Sequence, residues 1–334
     1  MPKLSRREFL KTISLTTGAV VINQLISGCT DKPQNNIDQG YQSEPEESKR
    51  LSESVSTIQP DSNQFPDLVV TRIGSPEDLT RRALQALGGM GRFVPKGAKV
   101  LVKPNICVAY HSYEYAATTN PWVVGAIVKM CYEAGASKVQ VMDYPFGGTP
   151  EEAYARSGIA EQVAAAGGEM VIMSRLKFLS TDITAGQDLR EARIYKDAIE
   201  TDVLIDVPIA KHHSLARLTL GMKNLMGLIR DRGAIHQNLG QRLADLTSAL
   251  RPDLIVIDAV RMLMANGPTG GDLGDVKEMN TIIASTDIVA ADSYASTMFG
   301  LQPNDLEYIR AAGQMGLGQS NLNNLRIEEF VIDA

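Results

Sequence analysis

Two spacings of apolar residues alternate along the chain after residue 66. Short β-rich runs at 67–73 (DLVVTRI), 98–103 (AKVLVK), 138–143 (KVQVMD), 169–173 (EMVIM), 202–210 (DVLIDVPIA), 253–260 (DLIVIDAV) and 280–285 (NTIIAS) read as strands. Between them, apolar positions recur every three or four residues. This spacing predicts helices at 75–87, 120–135, 158–168, 215–229, 238–250 and 286–300. Ser75 and Asn120 are placed to cap, each followed by a proline in the first turn. In 215–229 the stripe Leu215, Leu218, Met222, Leu225 and Ile229 faces the core, with Lys223 and Asn224 well around from it. Gly221 and Gly227 fall inside the same segment, at roughly 1 kcal/mol each relative to alanine, so a close approach by backbone or ligand is expected there.

This alternation predicts an α/β fold: a mostly parallel sheet with helices on both faces. The stretch 174–200 is less regular and reads as an inserted hairpin or a small subdomain. No tandem repeat is present.

The first 66 residues follow neither spacing. SRREFLK, centred on Arg6 and Arg7, reads as a twin-arginine export signal, followed by a mildly apolar run from Ile13 to Ile26. That run is short for a membrane span, which needs roughly 20 predominantly apolar residues. It ends in ISGC, which resembles a lipoprotein processing box with Cys29 as the lipidated residue. The expected organisation is a signal peptide over 1–28, a disordered tether over 29–66 rich in Ser, Gln, Asn, Glu and Pro, and a single α/β domain over 67–334. The expected location is the periplasm or cell envelope, with a lipid anchor holding the chain to a membrane through Cys29.

Charge narrows the choice of partner. Residues 1–28 hold four basic and one acidic side chain, so removing their +3 from the whole-chain −6 leaves −9 for the mature protein. That balance argues against nucleic acid, whose binding rests on neutralising phosphates with Lys and Arg. After Cys29 only Cys107 and Cys131 remain, too few for the four thiolates usual in an iron–sulfur cluster. The sequence assigns no cofactor, no oligomeric state and no pairing of those two cysteines.

In open α/β sheets, ligands bind beyond the carboxyl ends of the strands. The strand exits here carry Lys103, Asn105, Cys107 and His111; Asp143 with a glycine pair; KHH (Lys211, His212, His213); and Asp258 followed by Asn266, Gly267 and a Gly-Pro-Thr-Gly-Gly turn. His236 in a later loop completes the chain's four histidines. Adjacent histidines in an extended segment point to opposite faces, so one of His212 and His213 is expected to face the site.

These residues in this order have a counterpart. KPN, AKHHSLARLTLGMKNLMG, a following histidine, DLIVIDAV with NGPTGGDLG, and DIVAADSYASTMFG resemble the domain-of-unknown-function family numbered 362, from about residue 67 to 320. The resemblance implies an α/β fold and a site near KHH, GMKN and NGP, and it implies no reaction. Many members carry a ferredoxin-like module with clustered cysteines, which this chain lacks.

Three readings compete. The first is an enzyme or enzyme subunit, with a redox role among its options, that binds an anionic small molecule or cofactor. In it Lys103, Lys211 and Lys223 supply charge, and Asn105, Asn224, Asp143, Asp258, Asn266 and Gly267 supply polar contacts. His212, His213 or His236 then serves for proton transfer. The second is a metal site drawn from His111, His212, His213, His236 and Cys107, with Asp143 or Asp258 as a further ligand, although their spacing fits no established ligand motif. The third is a non-catalytic ligand-binding lipoprotein. The first is preferred, with Lys211, Lys223 and Asn224 as one wall of the site.

Overall fold

The computed structural model describes residues 65–332. The export signal, Cys29 and the tether up to Gln64 lie outside the described residues.

Twelve strands are present among the described residues: β1 (Leu68–Arg72), β2 (Lys99–Pro104), β3 (Lys138–Val141), β4 (Glu169–Met170), β5 (Phe178–Asp182), β6 (Glu191–Tyr195), β7 (Val203–Val207), β8 (Ile209–His213), β9 (Arg217–Thr219), β10 (Leu254–Leu263), β11 (Val276–Ser285) and β12 (Ile327–Val331). The main sheet runs in the order β12-β1-β11-β10-β7-β2-β3-β4. From β10 to β4 every neighbouring pair is parallel. β12 is parallel to β1, and only β11 runs against both of its neighbours. The fold is therefore mixed α/β with a mostly parallel central sheet.

Side chains alternate between two cores, as the two-residue period of a strand requires. Val69, Val100, Val102, Val256 and Ile282 pack with apolar residues of the helices Pro76–Ala86, Pro121–Glu133 and Ile159–Ala165. Leu68, Val70, Leu101, Ile257 and Ile283 pack instead with the helices Leu239–Ala249, Ile288–Thr297 and Glu307–Gln314. Helices thus cover both faces. The starts at 76 and 121 follow the capping expected of them: Ser75 and Asn120 side chains accept from the N–H groups of Asp78 and Trp122.

The structure corrects several elements. The irregular stretch 174–200 contains the β5–β6 hairpin, a separate two-stranded sheet. Short helices at Pro150–Arg156 and Glu307–Gln314 fall where no helix is expected. The largest correction concerns 215–229. β8 turns back on itself as β9, pairing Lys211 with Thr219 and His213 with Arg217. Helix begins only at Gly221, lasts through Asn224, and tightens to a 3-10 turn over Leu225–Leu228. Leu215 is 67% exposed, whereas Leu218, Met222, Leu225 and Ile229 are buried as core. The apolar spacing of those four suits a strand followed by a turn as well as a helix, and strand pairing decides between them.

Pro208 separates β7 from β8. β7 ends level with β2, pairing Val207 with Pro104, while β8 goes on alongside the far half of β10. KHH therefore lies on a strand that overhangs the carboxyl edge of the sheet, rather than on a loop leaving it. Among the described residues, no helix is long and apolar enough to cross a membrane.

Candidate functional site

A cavity of about 380 Å³ opens at this carboxyl edge. The exit of β2 contributes Lys103, Asn105 and Cys107 to its wall, and the exit of β3 contributes Asp143, Tyr144 and Phe146. β8 adds Lys211 and His213, the turn after it Ser214 and Leu215, and β9 Thr219. The segment after β9 adds Lys223, Asn224, Met226, Gly227, Arg232 and His236, and Pro268 closes the ring.

The floor is a saturated polar network. Lys103 Nζ donates to Pro104 O and Asn224 Oδ1, both at 2.8 Å, and pairs with Asp143 Oδ1 at 3.0 Å. Asn224 also accepts from Asn105 Nδ2 at 3.0 Å, while its own Nδ2 donates to Lys103 O at 3.1 Å and Asp206 Oδ1 at 2.8 Å. Two lone pairs and two N–H groups are all that an amide has, so Asn224 holds the wall together and has nothing left for a ligand. Lys211 Nζ is similarly engaged, by Asn105 Oδ1 at 3.0 Å, Ala117 O at 2.5 Å and Pro268 O at 2.9 Å, with Cys107 Sγ at 3.2 Å. Burial lowers the Lys103 ammonium from its ordinary value, with the Asp143 carboxylate opposing. Beneath the network, Asp206 is fully buried with Oδ2 unpartnered, and burial raises its carboxyl well above the usual range.

The glycines in this segment serve packing. A Cβ on Gly227 would stand 1.9 Å from Asp143 Oδ1 and 2.6 Å from Lys103 Nζ, so the backbone lies directly on the buried ion pair. A Cβ on Gly221 would meet Ile255 Cδ1 at 2.3 Å. Asp292 receives the N–H groups of Gly221 and Met222 at 2.7 and 3.0 Å, anchoring the start of the short helix.

Lys223 differs from the other two cavity lysines. The residue is 9% exposed, and among the described residues the one hydrogen-bond partner of its ammonium is Met226 Sδ, at 3.2 Å. A thioether is a weak acceptor, so the charge is left nearly uncompensated. Burial first, then repulsion from Lys211 and Arg232, pushes it down to about 8. Arg232 lines the cavity and donates from Nε to Met226 O at 3.0 Å and from Nη2 to Tyr144 O, while its Nη1 has no hydrogen bond among the described residues. Lys103, Lys211, Lys223 and Arg232 against Asp143 give the wall a net charge of +3 when every group is ionised.

The two histidines of KHH divide as alternation requires. His213 faces the cavity, its Nδ1 accepting from the N–H groups of Leu215 and Ala216 at 3.1 and 3.3 Å. Burial and the nearby Lys223 and Lys211 push it down to about 3, so it is neutral at physiological pH, with Nε2–H as its donor. His236 stands at the exposed rim, and burial and Lys223 lower it.

Four expected site residues lie off the wall. His212 accepts from Gly267 N–H at 3.1 Å, and a Cβ on Gly267 would lie 1.8 Å from the His212 carbonyl oxygen, so the two lock the NGP turn against β8. Asn266, at φ 53°, donates to Asp275 Oδ2 at 2.7 Å. Asp258 sits inside β10, which runs on to Leu263, and receives the N–H groups of Asn120 and Val260 at 2.7 and 2.9 Å; burial raises its carboxyl to about 7. The metal reading also loses its geometry: among the described residues, no three His, Cys, Asp or Glu side chains gather closely enough to hold an ion. Cys107 and Cys131 are both free and buried, so they do not pair.

A family profile described as a domain of unknown function (DUF362) matches residues 100–297. The chain belongs to the DUF362 family. Every cavity residue, from Lys103 to Pro268, falls inside the DUF362 match, while β1, β12 and the helix Glu307–Gln314 lie outside it. A thylakoid-associated protein of Synechocystis is 28% identical over 252 residues, covering 71% of this chain and 74% of its own. Among solved structures, the lactate racemase apoprotein from Thermoanaerobacterium thermosaccharolyticum aligns with a TM-score of 0.42 at 16% identity, over 69% of this chain and 55% of that one. A Thermotoga maritima protein aligns with a TM-score of 0.36 at 12% identity, over 68% and 60%.

Cavity residues without an advance signal share one property. Each lies at or beyond the end of a strand: Tyr144 and Phe146 follow β3, Ser214 lies between β8 and β9, Thr219 ends β9, Met226 sits in the 3-10 turn and Arg232 opens the short helix after it. Arg232 was findable in principle, as a cation a short loop before His236.

Proposed function

We propose that the cavity binds a small organic anion, carboxylate or phosphate, as the substrate or cofactor of an enzyme or enzyme subunit. One observation carries this reading: Lys223 is a nine-tenths buried residue whose ammonium has, among the described residues, only the Met226 thioether within hydrogen-bonding reach. A buried charge without a partner is costly, and an arriving anion removes that cost while gaining two charge-assisted contacts, from Lys223 and the Nη1 of Arg232. The His213 Nε2–H adds a neutral donor, and Tyr144, Phe146 and Met226 supply an apolar wall for the rest of the molecule. Lys103, Lys211, Asn105 and Asn224 preorganise this arrangement.

The test is thermal unfolding with inorganic phosphate, acetate, pyruvate and citrate in turn. At least one should stabilise the native protein, by about 2.7 kcal/mol at 100 times its dissociation constant, and should leave Lys223→Met unmoved. Equal shifts in both proteins would place binding elsewhere.

We further propose that the chain is exported by the twin-arginine route and anchored through Cys29. The attachment named for the thylakoid-associated relative is in keeping with a membrane surface. Replacing Arg6 and Arg7 with lysine should retain the protein in the cytoplasm, and Cys29→Ala should release it from membranes. Unchanged fractionation in both variants would overturn the proposal.

A further inference from the structure

Building on the anionic-ligand reading above, we propose that Lys223 forms a Schiff base with a small aldehyde or ketone that carries a carboxylate or phosphate. Three cavity lysines present amines, and only one is available as a nucleophile. The Lys103 and Lys211 ammonium groups are each held by three oxygen acceptors, which fix their protons and occupy their nitrogens. Lys223 has no such acceptor, and its environment favours the neutral amine: burial, Lys211 and Arg232 all act against its charge. Desolvation and a neighbouring cation are the two features that turn a lysine into a nucleophile near neutral pH.

The surroundings also select the electrophile. Arg232, whose Nη1 has no hydrogen bond among the described residues, offers a handle for an anionic group while the carbonyl carbon approaches Lys223. The cavity, at about 380 Å³, suits a molecule of a few carbons rather than a polymer. In the reaction the Lys223 nitrogen bonds to the carbonyl carbon, the carbon–oxygen bond breaks, and the two amine protons leave with that oxygen as water. Protonation from solvent then gives the iminium ion. No oxidant, reductant or metal is required. His213, neutral and donating from Nε2, is placed to hydrogen-bond the departing oxygen.

The experiment uses the full-length protein, pyruvate as the anionic probe, and sodium cyanoborohydride to trap any imine as a secondary amine. Peptide mapping by mass spectrometry then locates the adduct. Labelling is expected at Lys223 at least about tenfold faster than at the exposed Lys129, Lys138 and Lys177, since each pH unit of lowered basicity gives tenfold more neutral amine. Lys223→Arg should abolish that adduct. Arg232→Gln should slow labelling by pyruvate more than labelling by uncharged acetaldehyde, which feels only the lost repulsion on Lys223. Uniform labelling of all lysines would overturn the Schiff base. If phosphate still stabilises the protein in that event, anion binding survives alone; if it does not, both proposals fall. Equal slowing of both probes by Arg232→Gln would remove the requirement for an anionic handle.

Discussion

Replacing Lys223 with methionine should make the protein more stable while removing the function proposed for it. The side chains are similar in length, and the new thioether would pack against Met226, which already touches the Lys223 terminus. The magnitude follows from the ammonium's displacement. In the unfolded chain Lys223 titrates near its ordinary 10.5, and in the folded chain it is pushed down to about 8. At about 1.36 kcal/mol for each factor of ten, holding the charged form in the folded state costs about 3 kcal/mol at neutral pH. The sign can be followed through pH. Below 8 both states carry the proton and the full cost is present. Between 8 and 10.5 the unfolded chain binds more protons than the folded one, so native stability rises with pH. Above 10.5 both states are neutral and the cost is gone. Urea unfolding of the native protein and Lys223→Met at pH 7 and at successively higher pH measures this directly. The variant should gain about 2–3 kcal/mol at pH 7, with the advantage shrinking toward zero by about pH 10.5. A variant of equal or lower stability at pH 7, or an advantage that does not change with pH, would refute the uncompensated charge.

Other expectations concern the wall. Lys103→Met should destabilise by about 3–5 kcal/mol because it strands the buried Asp143 carboxylate, and adding Asp143→Asn should recover much of that loss in a double-mutant cycle. Gly227→Ala drives a methyl group into the Lys103–Asp143 pair and should cost stability comparably, with loss of anion binding, whereas Gly233→Ala, where a Cβ meets nothing within 4 Å, should be near neutral. His213, pushed down to about 3 by burial and then by Lys223, Lys211, His236 and His212, contributes stability that is present above 6.5 and lost as pH falls from there toward 3. His213→Asn should flatten that part of the stability–pH profile, and an unchanged slope would show that His213 takes up its proton as readily in the folded chain as in the unfolded one.

The architecture was legible because it rests on local patterns. Runs such as Val203–Val207 are buried at every position, as a central parallel strand must be, and Ser75–Pro76 and Asn120–Pro121 state their helix starts in two residues. Eight of the expected site residues do meet in one cavity, because strand exits on one edge of a parallel sheet necessarily converge: Lys103, Asn105, Asp143, Lys211, His213, Lys223, Asn224 and His236. What was not legible depends on pairing between distant segments. The β8–β9 hairpin exists because Pro208 frees β8 to follow β10, and nothing within 211–219 announces it. Nor does residue type reveal who holds whom. Asn224 and Lys211 look like ligand-handling groups but are consumed by their neighbours, while Lys223, one residue from Asn224, is left unengaged. Asp258 and Asn266 look equally suitable and are spent on backbone N–H groups and Asp275.

The most direct test is a crystal structure of the described domain grown with selenate, a heavy stand-in for phosphate whose anomalous signal locates it without ambiguity. The expected result is a peak inside the cavity in contact with both the Lys223 ammonium and the Arg232 guanidinium, absent from Lys223→Met crystals. Selenate bound only outside the cavity, or equally in the variant, would contradict anion binding at Lys223.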